Sequence, residues 1–574
     1  MVSPNLIRRN YDVKPAEINE NAKRLFQVVY SNQNKNDSVD NEDDDDIPKI
    51  NVSTVVSKLA FFYEKVRNVI DNSDDYLLRK NAIIRILKRK IVIEGALKNA
   101  DNADCLEISQ HLITELIRGS YLPNNKIPET EIAKVSKMLE KYLRLKNICV
   151  SKINSEMNIK LDVNKVKNLI NEKNSLINWI LSLAACEIEE NFSQNKVKQA
   201  MIANLYDFLN RNIKLTDGMD FKADLEIQIY LSVCRTYGKF DRDMLSFVLF
   251  KYYNNDWIHD SLVDTDIVRI ASNALELKNE ITRQINHSLT KPLDRITKKY
   301  ALYSSIMAET IEPDPVKVYN EIYNNGKAFF SNVKKVCNNK YKKAKKRLWR
   351  VAGRSIIYIF LTKSIFVLLL EIPATQWFNE PINYLSLSIN IAFPALLLFT
   401  IVAFTRTPGE ANTEKIISGV KELFFVGFER TAPITLRPKN KRNWIANGIF
   451  NLIYASAFLV SLYYIIKILN FINFNWVSII IFLVFLAFVS FFSVVTTSGV
   501  KDLIVVERRE NIFTLLADLF YMPIILIGKW MSNNVSKVNV FVFVFDFIIE
   551  APFKVLVEVA EDWTRYVKER KDNM

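Results

Sequence analysis

Fifteen residues, Lys340 to Arg354 (KYKKAKKRLWRVAGR), carry eight positive charges and no acid, and an apolar run starts directly after them. The eight are Lys340, Lys342, Lys343, Lys345, Lys346, Arg347, Arg350 and Arg354. A Lys/Arg cluster beside a hydrophobic run marks the end of a spanning helix that stays in the cytoplasm, and it is drawn to anionic headgroups on that leaflet. The junction therefore divides the chain into a polar, helix-patterned part before it and membrane-spanning stretches after it.

The apolar stretches are long enough to cross a bilayer. Ser355–Ile372 is apolar apart from Lys363 and Glu371, and Ile382–Phe404 and Val477–Val500 contain no charge. Ile445–Asn470 carries only Lys467. A hydrocarbon core of ~30 Å needs ~20 helical residues, so four spans are expected. The connection Glu371–Glu380 is short and acidic and Phe471–Asn475 is uncharged, whereas Thr405–Trp444 holds eight basic and four acidic residues. This asymmetry places both termini in the cytoplasm.

After Lys501 the pattern admits two readings. Ile512–Gly528, with Asp518, and Val538–Ile549, with Asp546, form either a short hairpin that raises the count to six spans or interfacial or re-entrant helices. The interfacial or re-entrant reading is preferred, because the first segment is short for a span and a hairpin would place Lys529 and Lys537 outside. Beyond them Ile549, Phe553, Leu556, Ala560, Trp563 and Val567 alternate steps of four and three, a narrow seam suited to a partner helix or to packing on this chain's own helices.

Before the junction the signal is helical throughout. Only 12 of 574 residues are glycine, roughly 2% against a typical ~7%. So little glycine disfavours phosphate-cradling loops and α/β nucleotide folds, and it points to an all-α chain. Residues 1–48 read as an arm with an acidic linker around Asp43–Asp46, and 49–310 as a cytoplasmic domain of successive amphipathic helices. Ile132, Val135, Leu139 and Tyr142 form one stripe. Val197, Met201, Leu205 and Phe208 form another, with Ser193 as the expected cap. Residues 311–354 connect this domain to the spans at 355–500, and 501–574 hold the C-terminal amphipathic helices.

The chain carries a formal net charge of +14, and Lys340 to the C-terminus accounts for most of it, with 28 Lys+Arg against 17 Asp+Glu. The excess is a topology signal, and no nucleic-acid partner is expected. Five scattered cysteines without a C-x-x-C pair make neither a disulfide framework nor a zinc template. His111 and Glu115, four apart, are too few for a metal site. No nucleotide, hydrolase or metalloprotease motif is present, so no catalytic residue, cofactor or metal is expected and the chain does not read as an enzyme. The residues that call for a role are the ionisable ones at membrane depth: Lys363, with Glu371, Asp518 and Asp546 as candidate partners.

The stretch FYMPIILIGKWM together with VNVFVFVFDFIIEAPFKVLVEVAEDWTRYVKERKD resembles the tails of polytopic membrane proteins from bacteria with small genomes. The likeness covers the last ~60 residues. It implies a bacterial inner membrane and carries no activity with it. The expected function is an interaction or assembly platform, with protein partners or self-association through helices. The alternative is a transporter or channel subunit using Lys363 and the carboxylates.

Overall fold

A computed structural model describes residues 17–39, 48–52, 61, 64, 75–94, 104–157, 163–193, 196–216, 221–258, 264–381, 383–428, 430, 432–436, 444–506, 522, 524–530, 559 and 563. It is all-α, 83% helical, and among the described residues strand is confined to Ile213–Leu215 and Ile434–Leu436. The chain divides into two units, one of residues 24–213, 220–301 and 541–574, the other of 1–23, 214–219 and 302–540.

The helices, in chain order, begin with α1 (Glu20–Val39), α2 (Asp75–Leu87, continued by a wide turn Lys88–Glu94), α3 (Cys105–Arg118), α4 (Thr130–Met157) and α5 (Val163–Ser193). Then come α6 (Lys196–Asn212), α7 (Lys222–Thr236), α8 (Arg242–Tyr253), α9 (Asp264–Ser272), α10 (Ala274–Ile285) and α11 (Thr290–Ile311). In the first unit α5 is the central post, with α2, α4, α8 and α10 packed around it. Its sequence explains the position. Every residue from Trp179 to Cys186 is buried, so this helix has no solvent face over two turns. The expected stripes of α4 and α6 are confirmed at Val135, Leu139 and Tyr142 and at Val197, Met201 and Leu205. Ser193 is corrected: it is the last residue of α5, its hydroxyl turned back to Glu190 O at 3.3 Å, and not a cap of α6.

Buried charges in this unit are paired. The Arg79 guanidinium grips Glu189 through two hydrogen bonds of 2.7 and 2.8 Å, and the Glu189 carboxyl is nevertheless pushed up because burial outweighs the arginine. Lys80 is fully buried and donates to Asp241 and Asp243, the latter at 3.0 Å. Asp241 in turn caps α8 by accepting from Met244 N at 3.0 Å. Burial pulls the Lys80 ammonium down, but Asp243 and Asp241 outweigh it and its pKa ends above 10.5. A raised lysine stabilises the fold below its ordinary value, and that contribution fades as pH climbs through the folded value.

The second unit continues with α12 (Pro315–Asn324), α13 (Gly326–Phe366), a wide turn Val367–Glu371, α14 (Ile372–Trp377), α15 (Tyr384–Ala403), α16 (Glu410–Phe424), α17 (Trp444–Phe471) and α18 (Trp476–Lys501). Among the described residues four helices are long and apolar enough to cross a membrane: Gly326–Trp377, Tyr384–Ala403, Asn447–Phe471 and Trp476–Lys501. The starts of α15 and α18 are set by short polar side chains. Asn383 accepts from Leu385 N at 3.0 Å, and Asn475 accepts from Ser478 N at 2.8 Å. The turn tips Asn379 and Asn473 adopt the left-handed conformation, φ 53° and 61°, which asparagine tolerates.

Around α13 pack α15, α16 and α18. Leu348 and Ala352 meet Leu398, Val402, Val489 and Val500 at the basic end of the bundle. At the other end Leu469, Phe474, Ile479 and Phe482 form a separate cluster. That cluster is where α17 joins. Only 11% of the α17 span is buried against 33% for the α15 and α18 spans, so most of α17 faces outward. The arm is not free at its described end: residues 17–19 are zipped to the end of α16, with Asn19 N to Phe424 O at 3.0 Å and Val426 N to Glu17 O at 2.8 Å.

The paired charges of the first unit yield a test. Lys80→Met should lower its stability by about 1–3 kcal/mol, the cost of hydrogen bonds to charged groups. It should also remove the decline in stability above pH 10.5. Denaturant unfolding of a 24–301 fragment followed by circular dichroism reads both, and the same fragment should stay in solution and helical without detergent.

Candidate functional site

The site is built where span one departs from regular α-helix. Lys363 and Glu371 are eight residues apart, which at ~100° per residue places them ~80° out of register on a regular helix. The wide turn Val367–Glu371 takes up about one extra residue and returns both side chains to one face. Pro373 supplies the cause. It has no N–H to offer and its ring clashes with the carbonyl of residue 369 one turn back, so the helix opens just before it.

Both side chains are fully buried, and the Lys363 Nζ to Glu371 Oε2 distance is 3.8 Å. That is an ion pair without a direct hydrogen bond. The Lys363 ammonium lies over the Phe485 ring of α18, 4.0 Å from its centroid, and 5.8 Å from that of Phe366. The electron-rich ring face stabilises the cation. Glu371 Oε1 accepts from Asn390 Nδ2 of α15 and from Ser478 Oγ of α18, each at 2.6 Å. Thr375 donates its hydroxyl to the Glu371 backbone carbonyl. Lys363 Nζ, Glu371 Oε2 and Asn390 Oδ1 are buried and make no hydrogen bond.

One carboxylate thus joins three helices, and one of its oxygens faces the ammonium unsatisfied. The expectation that Glu371 opens an outer loop is corrected: the helix continues to Trp377 and Glu371 points into the bundle. The expected Lys363–Glu371 pairing is present. Asp518 and Asp546 lie outside the described residues. Asn390 and Ser478 were not foreseen, because a search restricted to ionisable residues passes over an amide and a hydroxyl in an uncharged span.

The basic cluster is placed on the same helix. Seven of its members, Lys342, Lys343, Lys345, Lys346, Arg347, Arg350 and Arg354, are exposed on α13, while Tyr341, Leu348 and Ala352 form its buried face. Lys340 differs, bound to Glu309 at 2.8 Å and to Ser305 at 2.9 Å. Beside this face Asn412 of α16 forms a hub. Its amide donates to Tyr341 Oη at 2.9 Å and to Leu503 O at 2.8 Å, and its oxygen accepts from Val505 N at 2.7 Å. One side chain therefore holds the basic end of α13, the loop helix α16 and the segment leaving α18. Sequence offers no signal for it.

Elsewhere His111 Nδ1 sits 3.2 Å from Glu115, which also takes the Arg89 guanidinium, so the pair belongs to an ion network. Of the C-terminal seam only Trp563 is described, and it is exposed. Ile549, Phe553, Leu556, Ala560 and Val567 lie outside the described residues. Comparison with protein-family models, curated proteins and solved structures finds no match.

The charge pair should behave as a unit. Glu371→Ala leaves the Lys363 ammonium enclosed without its partner, at a cost of about 3–5 kcal/mol. Lys363→Met with Glu371→Gln together should regain most of that loss, and Ser478→Ala alone should cost about 0.5–2 kcal/mol. Thermal unfolding of the purified chain in detergent, run as a double-mutant cycle, measures the coupling.

Proposed function

We propose that the protein is an integral membrane scaffold of a bacterial inner membrane, presenting a helical body at the cytoplasmic face as a platform for protein partners. The observation that carries this is α13. It runs unbroken for 41 residues through the basic stretch and into the first span. Its early turns bury Phe329, Val333 and Cys337 as a soluble helix does, and its later turns join the bundle. A continuous helix has no hinge at the membrane surface, so whatever docks on the early turns of α13 is held in fixed relation to the first span. Exposed Lys and Arg on the same helix suit anionic headgroups. The Glu371 bonds to Asn390 and Ser478 support the same reading, since they clamp spans one, two and four together and do not leave them free to separate.

A transport subunit is the second reading, favoured by one observation: three buried polar atoms at membrane depth, on Lys363, Glu371 and Asn390, make no hydrogen bond. Charged groups at that depth mark ion and proton paths in many membrane proteins.

Two measurements test these readings. For orientation, single cysteines at Glu380 and Asn470, in an otherwise cysteine-free chain, should react with an impermeant thiol reagent from outside the cell, and one at Lys441 should not; the reverse pattern would overturn the cytoplasmic placement. For function, gentle detergent extraction should co-purify a protein partner that is retained in Lys363→Met/Glu371→Gln. Solute or proton flux in proteoliposomes that this double variant abolishes would instead establish the transport reading.

A further inference from the structure

After α18 the chain returns to it. The helical piece Ile524–Trp530 buries Gly528 against α18, where a Cβ would stand 2.8 Å from Phe491 Cβ and closer still to the Ala487 carbonyl oxygen. The contact therefore requires glycine, as close helix–helix approach within a membrane commonly does. Its position along α18 is informative. Ala487 lies 11 residues from Trp476 and 14 from Lys501, about 16 and 21 Å at ~1.5 Å per residue. A helix resting on the membrane surface would meet α18 near Lys501, and this one meets it near the centre.

The neighbours of Gly528 agree. Met522, Leu526 and Ile527 are apolar and exposed, as side chains facing acyl chains are, while Ile524 and Ile525 are half-buried and Gly528 is buried. We infer that Ile524–Trp530 is embedded in the bilayer beside α18 at mid-depth, held by the Gly528–Ala487 contact. Ala487 is two residues from Phe485, the ring under Lys363, so the embedded piece carries Lys529 to within about one turn of the depth of Lys363. Two residues is ~200° around a helix, which puts the two lysines on different sides of α18. An exposed ammonium at that depth is costly and calls for an acidic partner or a wet cleft.

The test is a depth measurement on the full chain. Leu526→Cys, in a chain whose five native cysteines are replaced by alanine, is labelled with a nitroxide and reconstituted in vesicles of zwitterionic and anionic phospholipid. Labels at Val484→Cys, an exposed position on α18 near its centre, and at Lys343→Cys, on the basic face, serve as references. At Leu526, broadening by dissolved oxygen should exceed broadening by a water-soluble nickel chelate, matching Val484. A chelate-dominated signal matching Lys343 would overturn the inference. Adding Gly528→Leu should move the Leu526 signal toward the chelate; an unchanged depth would show that the Gly528–Ala487 contact does not hold the segment. If Gly528→Leu fails to fold, the depth of Leu526 in the parent chain still decides the matter.

Discussion

A charge inside an apolar bundle must find its partner within the protein, and the second unit is arranged around that requirement. Lys363 lies about 12 Å into the first span at 1.5 Å per residue, beyond easy reach of water. Its carboxylate partner comes from the same helix, through a wide turn that Pro373 imposes. Glu371 could neutralise Lys363 with no other help, but its second oxygen recruits Asn390 and Ser478. A local charge problem becomes the contact that joins three spans. The Phe485 ring completes the enclosure on the fourth side.

The same rule operates in the first unit by different means. Around α5, where no solvent face exists, Arg79 answers Glu189 bidentately. Tyr142 Oη and Trp257 Nε1 both donate to Glu187, at 2.5 and 3.1 Å. Lys80 is engaged by Asp241, which also caps the start of α8. Water-exposed counterparts such as Arg144–Glu140 contribute little, since solvent screens them. The paired charges at the centre matter because removing one partner strands the other away from water.

Among the described residues the junction between polar chain and spans is reinforced around α16. Asn412 draws α13, α16 and the exit of α18 together, and Gly419 lets the Tyr303 ring lie directly on α16, where any Cβ would collide. In contrast α17 is attached near Phe474 and otherwise turns Leu452, Ile453, Leu459 and Tyr463 outward. Spans one, two and four and the loop helix form a braced group, and span three packs against it near Phe474.

Much of the architecture is legible in sequence because it follows from composition and period. Scarce glycine, apolar stripes at three- and four-residue spacing and uncharged runs of more than twenty residues determined an all-α chain with four candidate spans; the ends of spans two, three and four agree with the structure to within a few residues, whereas the helix that carries span one begins at Gly326, far before Ser355. The Lys363–Glu371 pair was legible too, since two lone charges in one apolar run have few other partners. What only tertiary structure decided is how distant segments meet. Asn390, Ser478, Asn412 and Gly528 are ordinary residues in a linear reading. Their roles arise because packing brings them to a buried carboxylate, a chain exit or a neighbouring helix, and sequence period reports the face of a helix but not what that face will touch.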